Sequence, residues 1–266
     1  MNELLRSNVK SHARRYTATG LAVAISMAFV VIALAFSAGI NASLTKSVRA
    51  HYSGTAAVVA LNYDLIDGDA QDHRLLFDYI PELAEIPDVV AVGQEGYNYW
   101  ELRTDKARIS TSVDALNPLP FSQPELISGE LPSGTTEVVL SSSQAQELGV
   151  DVGDTLAVRD LWTEDEARQF TVSGIIVDAG NNAGMFSATA YATAEALAAS
   201  EPYGLLVAIA DYQPSAEAQQ ALVDQIAAQF GEAVEVRTAD AVVAETFEQM
   251  QMGQGALTAV MLVFPV

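Results

Sequence analysis

Two runs of this chain carry no charge. Between Arg15 and Lys46 no Asp, Glu, Lys or Arg occurs, and the centre of that run, Gly20–Ile40 (GLAVAISMAFVVIALAFSAGI), is apolar all round. A helix in water needs a polar stripe at a 3.6-residue period, because one face must meet solvent. This segment has none. At about 1.5 Å of rise per residue it covers about the 30 Å of a bilayer's hydrocarbon core. A transmembrane helix is therefore expected over residues 18–42. Two alternatives explain less. A buried core helix is seldom so long. A cleaved signal peptide has an apolar run of about 7–15 residues, although small residues (Ser37, Ala38, Gly39, Ala42, Ser43) do follow this one. Arg6, Lys10, Arg14 and Arg15 precede the span, against Lys46 and Arg49 after it. An excess of Lys and Arg marks the cytoplasmic side, so the N-terminus is expected inside and the following residues outside.

The second uncharged run is Gly253–Val266 (GQGALTAVMLVFPV). It is about 21 Å long as a helix, short of the bilayer core. It reads either as a buried terminal helix or as the start of a second span; the second accounts for an apolar run at the end of the sequence and is the expectation adopted.

Between these runs the pattern alternates between periods. Thr55–Leu61 reads as a buried strand, Leu75–Leu83 as a helix restarted at Pro81, and Val89–Arg103 as a long strand or strand pair around Gly93 and Gly96. From 104 to 178 helical periodicity largely vanishes. Strands are expected at Ala107–Val113, Glu137–Ser141, Asp154–Asp160 and Gln169–Val177, with one short helix, Ser142–Leu148, closed by Gly149. Asp178–Ser187 is a Gly- and Asn-rich loop with Met185 and Phe186 at its tip. Thr193–Ala199 reads as a short helix capped by Thr193. Tyr203–Asp211 is a buried strand. Pro214–Phe230 is an amphipathic helix with Ala218, Leu222, Ile226 and Phe230 every four residues, ended by Gly231. Ala233–Val236 is a strand, and Ala239–Met252 a helix after a cap at Thr238. The expected architecture is α+β: two strand–helix–strand units separated by a β-rich insert.

Charge narrows the function. The 266 residues hold 13 Lys+Arg and 34 Asp+Glu, a net charge of -21. Residues 51–266 hold 33 of the acids and only seven of the basic side chains. A region so acidic repels phosphate backbones and anionic lipid headgroups, which argues against nucleic-acid binding and suits a soluble domain held off the membrane. Ahead of the span, Arg6, Lys10 and Arg14 stack on one helical face, as in an interfacial helix or an ordinary positive flank.

Little catalytic chemistry is visible. There is no cysteine, so disulfides and thiolate sites are excluded. No phosphate-binding G-x-x-x-x-G-K-[ST] loop and no G-x-S-x-G elbow around Ser141–Ser143 occur. His12, His51 and His73 lie far apart and read as surface or interface residues. Asp64, Asp67, Asp69 and Asp72 crowd one loop, but not at calcium-loop spacing. Tyr99, Trp100 and Trp162 read as core, with ligand stacking as the alternative. No residue is assigned a catalytic, cofactor-binding or metal-binding role.

The layout resembles the start of an ABC transporter permease of the FtsX/MacB family, the type VII or mechanotransmission permeases. The closest local match is Ile127–Val158, ISGELPSGTTEVVLSSSQAQELGVDVGDTLAV, in which Gly129, Pro132, Glu137–Leu140, Ala145, Leu148-Gly149 and Gly153-Asp154 fit a pattern common among relatives; Phe170–Ile175 fits the strand that follows. The motif is structural and carries no chemistry. The resemblance implies an extracytoplasmic periplasmic-core-like domain. Residues 1–17 would be a cytoplasmic amphipathic segment and 18–42 the first transmembrane helix. Residues 43–103 and 179–238 would form a porter-like α/β region, 104–178 a sabre-like β-rich insert, and 239–266 a helix leading into a second, truncated span. It also implies a membrane subunit, not itself an enzyme, without cofactor. That subunit would pair as a homo- or heterodimer in the plasma membrane beside membrane lipids. It would couple ATP hydrolysis by a cytoplasmic ABC ATPase to movements of the outer domain, for export, extraction or signalling in a bacterial cell. Later spans and their ATPase-facing loop are absent, so a fragment is expected. A single-pass anchored binding or sensor domain is the alternative.

Overall fold

The computed structural model describes residues 13–62, 75–163, 166–178, 190–197 and 202–249. The basic segment before Ala13, the aspartate-rich loop with His73, the tip with Met185 and Phe186, and the uncharged C-terminal run lie outside the described residues, as does His12.

Ala13–His51 is one 39-residue helix, α1. Among the described residues no helix is long and apolar enough to cross a membrane, so the fold does not establish the span expected over 18–42. What it does show of that run is helix, with large apolar side chains such as Leu21, Ile25, Met27, Phe29 and Ile32 exposed. Two units divide the chain, residues 1–45 and 46–266; the last turn of α1 belongs to the second, described next.

Its first layer is a four-stranded sheet of β1 (Ala57–Leu61), β2 (Val89–Glu95), β10 (Gly204–Ile209) and β11 (Val234–Thr238). The order is β11-β1-β10-β2 and every pairing is antiparallel. Each strand–helix–strand unit is thus split by a strand of the other, the ferredoxin-like arrangement. Alternation of side chains sends β1 and β10 residues to both faces. On one face Ala57, Val59, Leu61, Leu205 and Val207 pack against α2 (Ile80–Ala84), the 3-10 turn Leu76–Tyr79 before it, and α4 (Ala216–Phe230) through Leu222 and Ile226. Pro81 sits in the first turn of α2, where its missing N–H costs no hydrogen bond. On the other face Val58, Leu206 and Ala208 meet Val48 and Tyr52 from the end of α1 and Val242 from the helix 239–249, α5, with Val243 and Phe247 alongside. Both faces are therefore buried, which is why β1 and β10 read as continuous apolar runs.

The second layer holds β3 (Tyr97–Arg103), β4 (Arg108–Leu116), β5 (Leu126–Gly129), β6 (Glu137–Ser141), β7 (Thr155–Asp160), β8 (Arg168–Ile176) and β9 (Ala190–Thr193). Their order is β5-β8-β6-β9-β4-β3-β7, and β7 also pairs with β8. That last pairing closes six strands into a ring, with β5 as a seventh on β8. Trp100, Leu102, Val113, Leu140, Leu156 and Phe170 fill the interior. Trp100 is fully buried against Phe170, ring centroids 5.0 Å apart, which makes it core as expected. At about 25 cal/mol per Å² its burial alone outweighs any single surface ion pair.

Two expectations change here. Residues 97–103 were assigned to the α/β region, yet β3 hydrogen-bonds β4 along its whole length and β7 along half of it. The chain enters the barrel at Tyr97, not at 104. Likewise 190–193, assigned to the second α/β half, is a strand between β6 and β4. The helix expected at Thr193–Ala199 is instead a turn at 194–197 following that strand. Thr193 does cap it: its hydroxyl accepts from Ala196 N at 3.2 Å. The capping signal was real, but a strand precedes it where helix was expected to follow.

The motif segment is structural throughout. Ser141 caps α3 (Ser142–Leu148), accepting from Gln144 N, and Gly149 ends it in the left-handed region. Glu137 takes hydrogen bonds from Ser133 N and Gly134 N, which hold its carboxyl below the usual range.

Candidate functional site

The place where the two layers, the end of α1 and the start of the barrel meet is built around one carboxylate. Glu95 is the last residue of β2, and Gly96 alone separates it from β3. It is 8% exposed. Strand alternation that keeps Gly93 and Glu95 buried turns its side chain toward the last turn of α1. There Tyr52 donates its hydroxyl to Glu95 Oε1 at 2.6 Å, and His51 Nε2 stands 3.4 Å from the same oxygen. The rings of His51 and Tyr52 meet edge to face at 4.9 Å. Two consecutive residues at the end of a helix thus hold the end of a strand 43 residues away.

The return crossing passes the same point. Tyr203 N donates to the Glu95 carbonyl at 2.9 Å, and Gly204 lies opposite Glu95 in the ladder. A Cβ on Gly204 would come within 2.9 Å of Glu95 Oε2, so a glycine there is what leaves room for the carboxylate. Beyond Tyr52 the chain turns at Gly54, whose φ of +81° is in the left-handed region; a Cβ would meet the Pro120 carbonyl at 2.5 Å. Phe121 from that loop packs into the same cluster as Val48 and Tyr52. Ser53 and Tyr212 hydroxyls lie 2.6 Å apart. Asn117, just past β4, reaches the free edge of β2: its Oδ1 accepts from Gln94 N at 2.7 Å and its Nδ2 donates to the Gln94 carbonyl at 2.9 Å.

A second carboxylate faces the junction from the barrel. Asp114, half-buried on β4, has its pKa raised from 3.8 to about 6. Burial is the main cause; His51 works against it and Glu95 with it. Tyr52, which is buried, is pushed well up by that burial first and then by Glu95; Tyr203 is raised in the same direction with its ring half-exposed at the mouth of the junction. Tyr191 on β9 rises to about 12 through burial and Asp114. These directions agree: the junction is a water-poor pocket of negative potential in which the tyrosines stay neutral donors. Gln219, buried on α4, ties the other helix in. Its Nε2 donates to Asp240 Oδ2 and its Oε1 accepts from Asp240 N, both at 3.1 Å, anchoring the first turn of α5.

Ser141, Ser142 and Ser143 gather around Asp178, which accepts from both the Ser142 hydroxyl and Ser143 N; these bonds lower its pKa to about 2. That is a helix cap. Among the described residues no group of three or more His, Asp or Glu is placed to hold a metal. Of the histidines, His51 is at the junction, partly buried beside Glu95. Trp162 and Tyr99 are exposed, not core. The Glu95 contacts were missed by sequence reasoning; the only local signal was an acid inside the apolar alternation VVAVGQE.

The profile of the MacB-like periplasmic core domain matches residues 17–249. The chain belongs to that family. Among solved structures, the MacB-like core is similar to the periplasmic region of MacB from Actinobacillus actinomycetemcomitans. The TM-score is 0.50 at 16% identity, covering 74% of this chain and 94% of that one. It also matches the extracellular domain of the noncanonic ABC-type transporter YknZ from Gram-positive bacteria (TM-score 0.49, 14% identity, 68% and 98% covered). A third match is a domain of a putative permease protein from Porphyromonas gingivalis (TM-score 0.43, 19% identity, 68% and 85% covered). No curated protein sequence matches. The chain is thus a mixed α/β domain of the MacB-like core type, as the resemblance implied.

Proposed function

We propose that this chain is the membrane-anchored, extracytoplasmic part of an ABC permease, and that the Glu95 junction is where movement of its helices enters the outer domain. ATP hydrolysis takes place on a separate cytoplasmic ATPase, and the permease works as a pair. Membership of the MacB-like core family supports the class, and the apolar, exposed run of α1 supports the anchor. The observation that carries the mechanism is that α1 and α5 dock on one face of one sheet, around Val58, Leu206 and Ala208. Packed interiors do not deform continuously, so a shift of either helix moves the sheet as a body. The hydrogen bond from Tyr52 to Glu95 then passes that shift to the strand that enters the barrel. No reaction is needed in the domain itself.

The test is purification of the native protein from its own membranes, followed by ATPase assays. An ABC ATPase is expected to copurify. Tyr52→Phe keeps the ring and removes the hydroxyl, so it is expected to leave the complex assembled and the domain folded while uncoupling ATP turnover from outer-domain movement. An absent ATPase, with the domain instead responding to a soluble ligand, would support the anchored-sensor reading.

A further inference from the structure

Residues 51–266 hold only seven Lys and Arg, and three of them line a single cavity. Arg103 and Arg108 sit directly opposite each other on β3 and β4. Arg159 on β7 lies opposite Glu101. Together with Ala157 and Ala167 they enclose about 210 Å³ on the outside of the barrel. Like charges placed directly across a ladder repel, and among the described residues Glu101 is the carboxylate that answers them. Its carboxylate takes Arg108 at 3.5 Å and Arg159 at 3.3 Å. Arg103 makes no ion pair among the described residues. The described lining therefore holds three arginines against one glutamate inside a strongly acidic domain. The alanines leave its floor open where longer side chains would fill it.

The same strand face continues into aromatic surface. Tyr97, Tyr99, Glu101 and Arg103 alternate with buried residues along β3, so all four point outward. Trp162 follows β7 and is 55% exposed. Its backbone is held: its main-chain N–H donates to Asp160 Oδ1 at 2.8 Å, and Leu161 N donates to the Tyr99 carbonyl at 2.8 Å. Tyr97 lies 5.4 Å from the Trp162 ring and 6.3 Å from that of Tyr203. Four half-exposed rings thus adjoin an arginine cavity on one face. Such rings expose apolar area that water solvates poorly, and arginine forks match carboxylate and phosphate oxygens.

We propose that this face is a binding site for an amphiphilic anion. Its carboxylate or phosphate occupies the Arg103–Arg108–Arg159 cavity, and its apolar or ring-bearing body lies along Tyr99, Tyr97, Trp162 and Tyr203. The cavity is smaller than sites that enclose whole drug-sized ligands, so it takes the head and leaves the body on the aromatic surface. The aromatic surface shares Tyr203 with the Glu95 junction, but the arginine cavity contains none of the residues that hold Glu95.

The test uses the full chain in nanodiscs of neutral phosphatidylcholine, with empty discs as the blank. Octyl phosphate, inorganic phosphate and octyltrimethylammonium are titrated while tryptophan emission is followed; Trp100 is buried, so Trp162 reports. Octyl phosphate is expected to saturate the signal and to bind at least about tenfold more tightly than either other probe. Raising salt weakens it, because the arginines are solvent-accessible. Arg103→Gln and Arg159→Gln, at exposed positions that leave the melting curve unchanged, each weaken it by about tenfold, the scale of one charge-assisted hydrogen bond. Equal binding of octyltrimethylammonium, equal binding of inorganic phosphate, or an unchanged affinity in Arg103→Gln overturns the proposal.

Discussion

Glu95 and Asp114 are two carboxylates in one water-poor junction, and their environments differ in a way that pH reads out. Glu95 has a hydroxyl donor at 2.6 Å; among the described residues no hydrogen bond to Asp114 offsets the cost of its burial. The folded Asp114 holds its proton up to about pH 6, whereas an unfolded one releases it near 3.8. Between those values the folded state binds more protons than the unfolded one, so this residue's contribution falls as pH rises. The penalty is complete above about pH 6 and relieved below about 3.8. Asp114→Asn is therefore expected to stabilise the protein at pH 7 by on the order of 1–2 kcal/mol, discounted for partial exposure. That gain should shrink toward zero by pH 4. Thermal melts of both proteins across pH 4–8 check this; a constant difference contradicts the assignment. None of it was legible in the sequence, where Asp114 sits in an ordinary strand and its neighbours His51, Glu95, Tyr191 and Tyr203 come from four other segments.

At the scale of elements, legibility followed locality. The β6–α3 unit was predicted residue for residue because its information is contiguous: an apolar strand, a serine cap and a closing glycine within Glu137–Gly149. α4 was equally plain from its four-residue repeat. β2 and β3 are legible as a strand pair around Gly93 and Gly96, but β3 is expected in the α/β region, since alternation tells which residues face inward and not which strand lies alongside. The decision rests on long-range hydrogen bonds to β4 and β7. The turn between α1 and β1 shows a similar long-range dependence. Gly54 reads as an unremarkable turn glycine, yet it combines a positive φ with a backbone oxygen from Pro120 where a side chain would go. Gly54→Ala is expected to cost at least about 2 kcal/mol, combining left-handed strain with a clash against backbone that cannot swing away. Chemical denaturation measures it; a loss under about 0.5 kcal/mol would show that the loop at Pro120 yields freely.

For the whole molecule the account rests on two helices sharing a sheet face. The charge pattern separates a basic first stretch from an acidic remainder, and the MacB-like core family matches residues 17–249. What periodicity could not show is that α1 and α5, almost two hundred residues apart, end on the same side of β1 and β10. Nothing local marks such a meeting; only the complete fold brings Val48 and Val242 into one cluster. The chain has no cysteine, so a single Glu130→Cys on the exposed barrel surface can carry a spin label without background. The decisive measurement for the proposed coupling is the label-to-label distance across the proposed permease pair, by double electron–electron resonance, with and without ATP on the proposed partner ATPase. Helix-driven movement predicts a distance distribution that shifts with nucleotide and stays fixed in Tyr52→Phe. A distribution identical in every nucleotide state, while ATP is being hydrolysed, would contradict it.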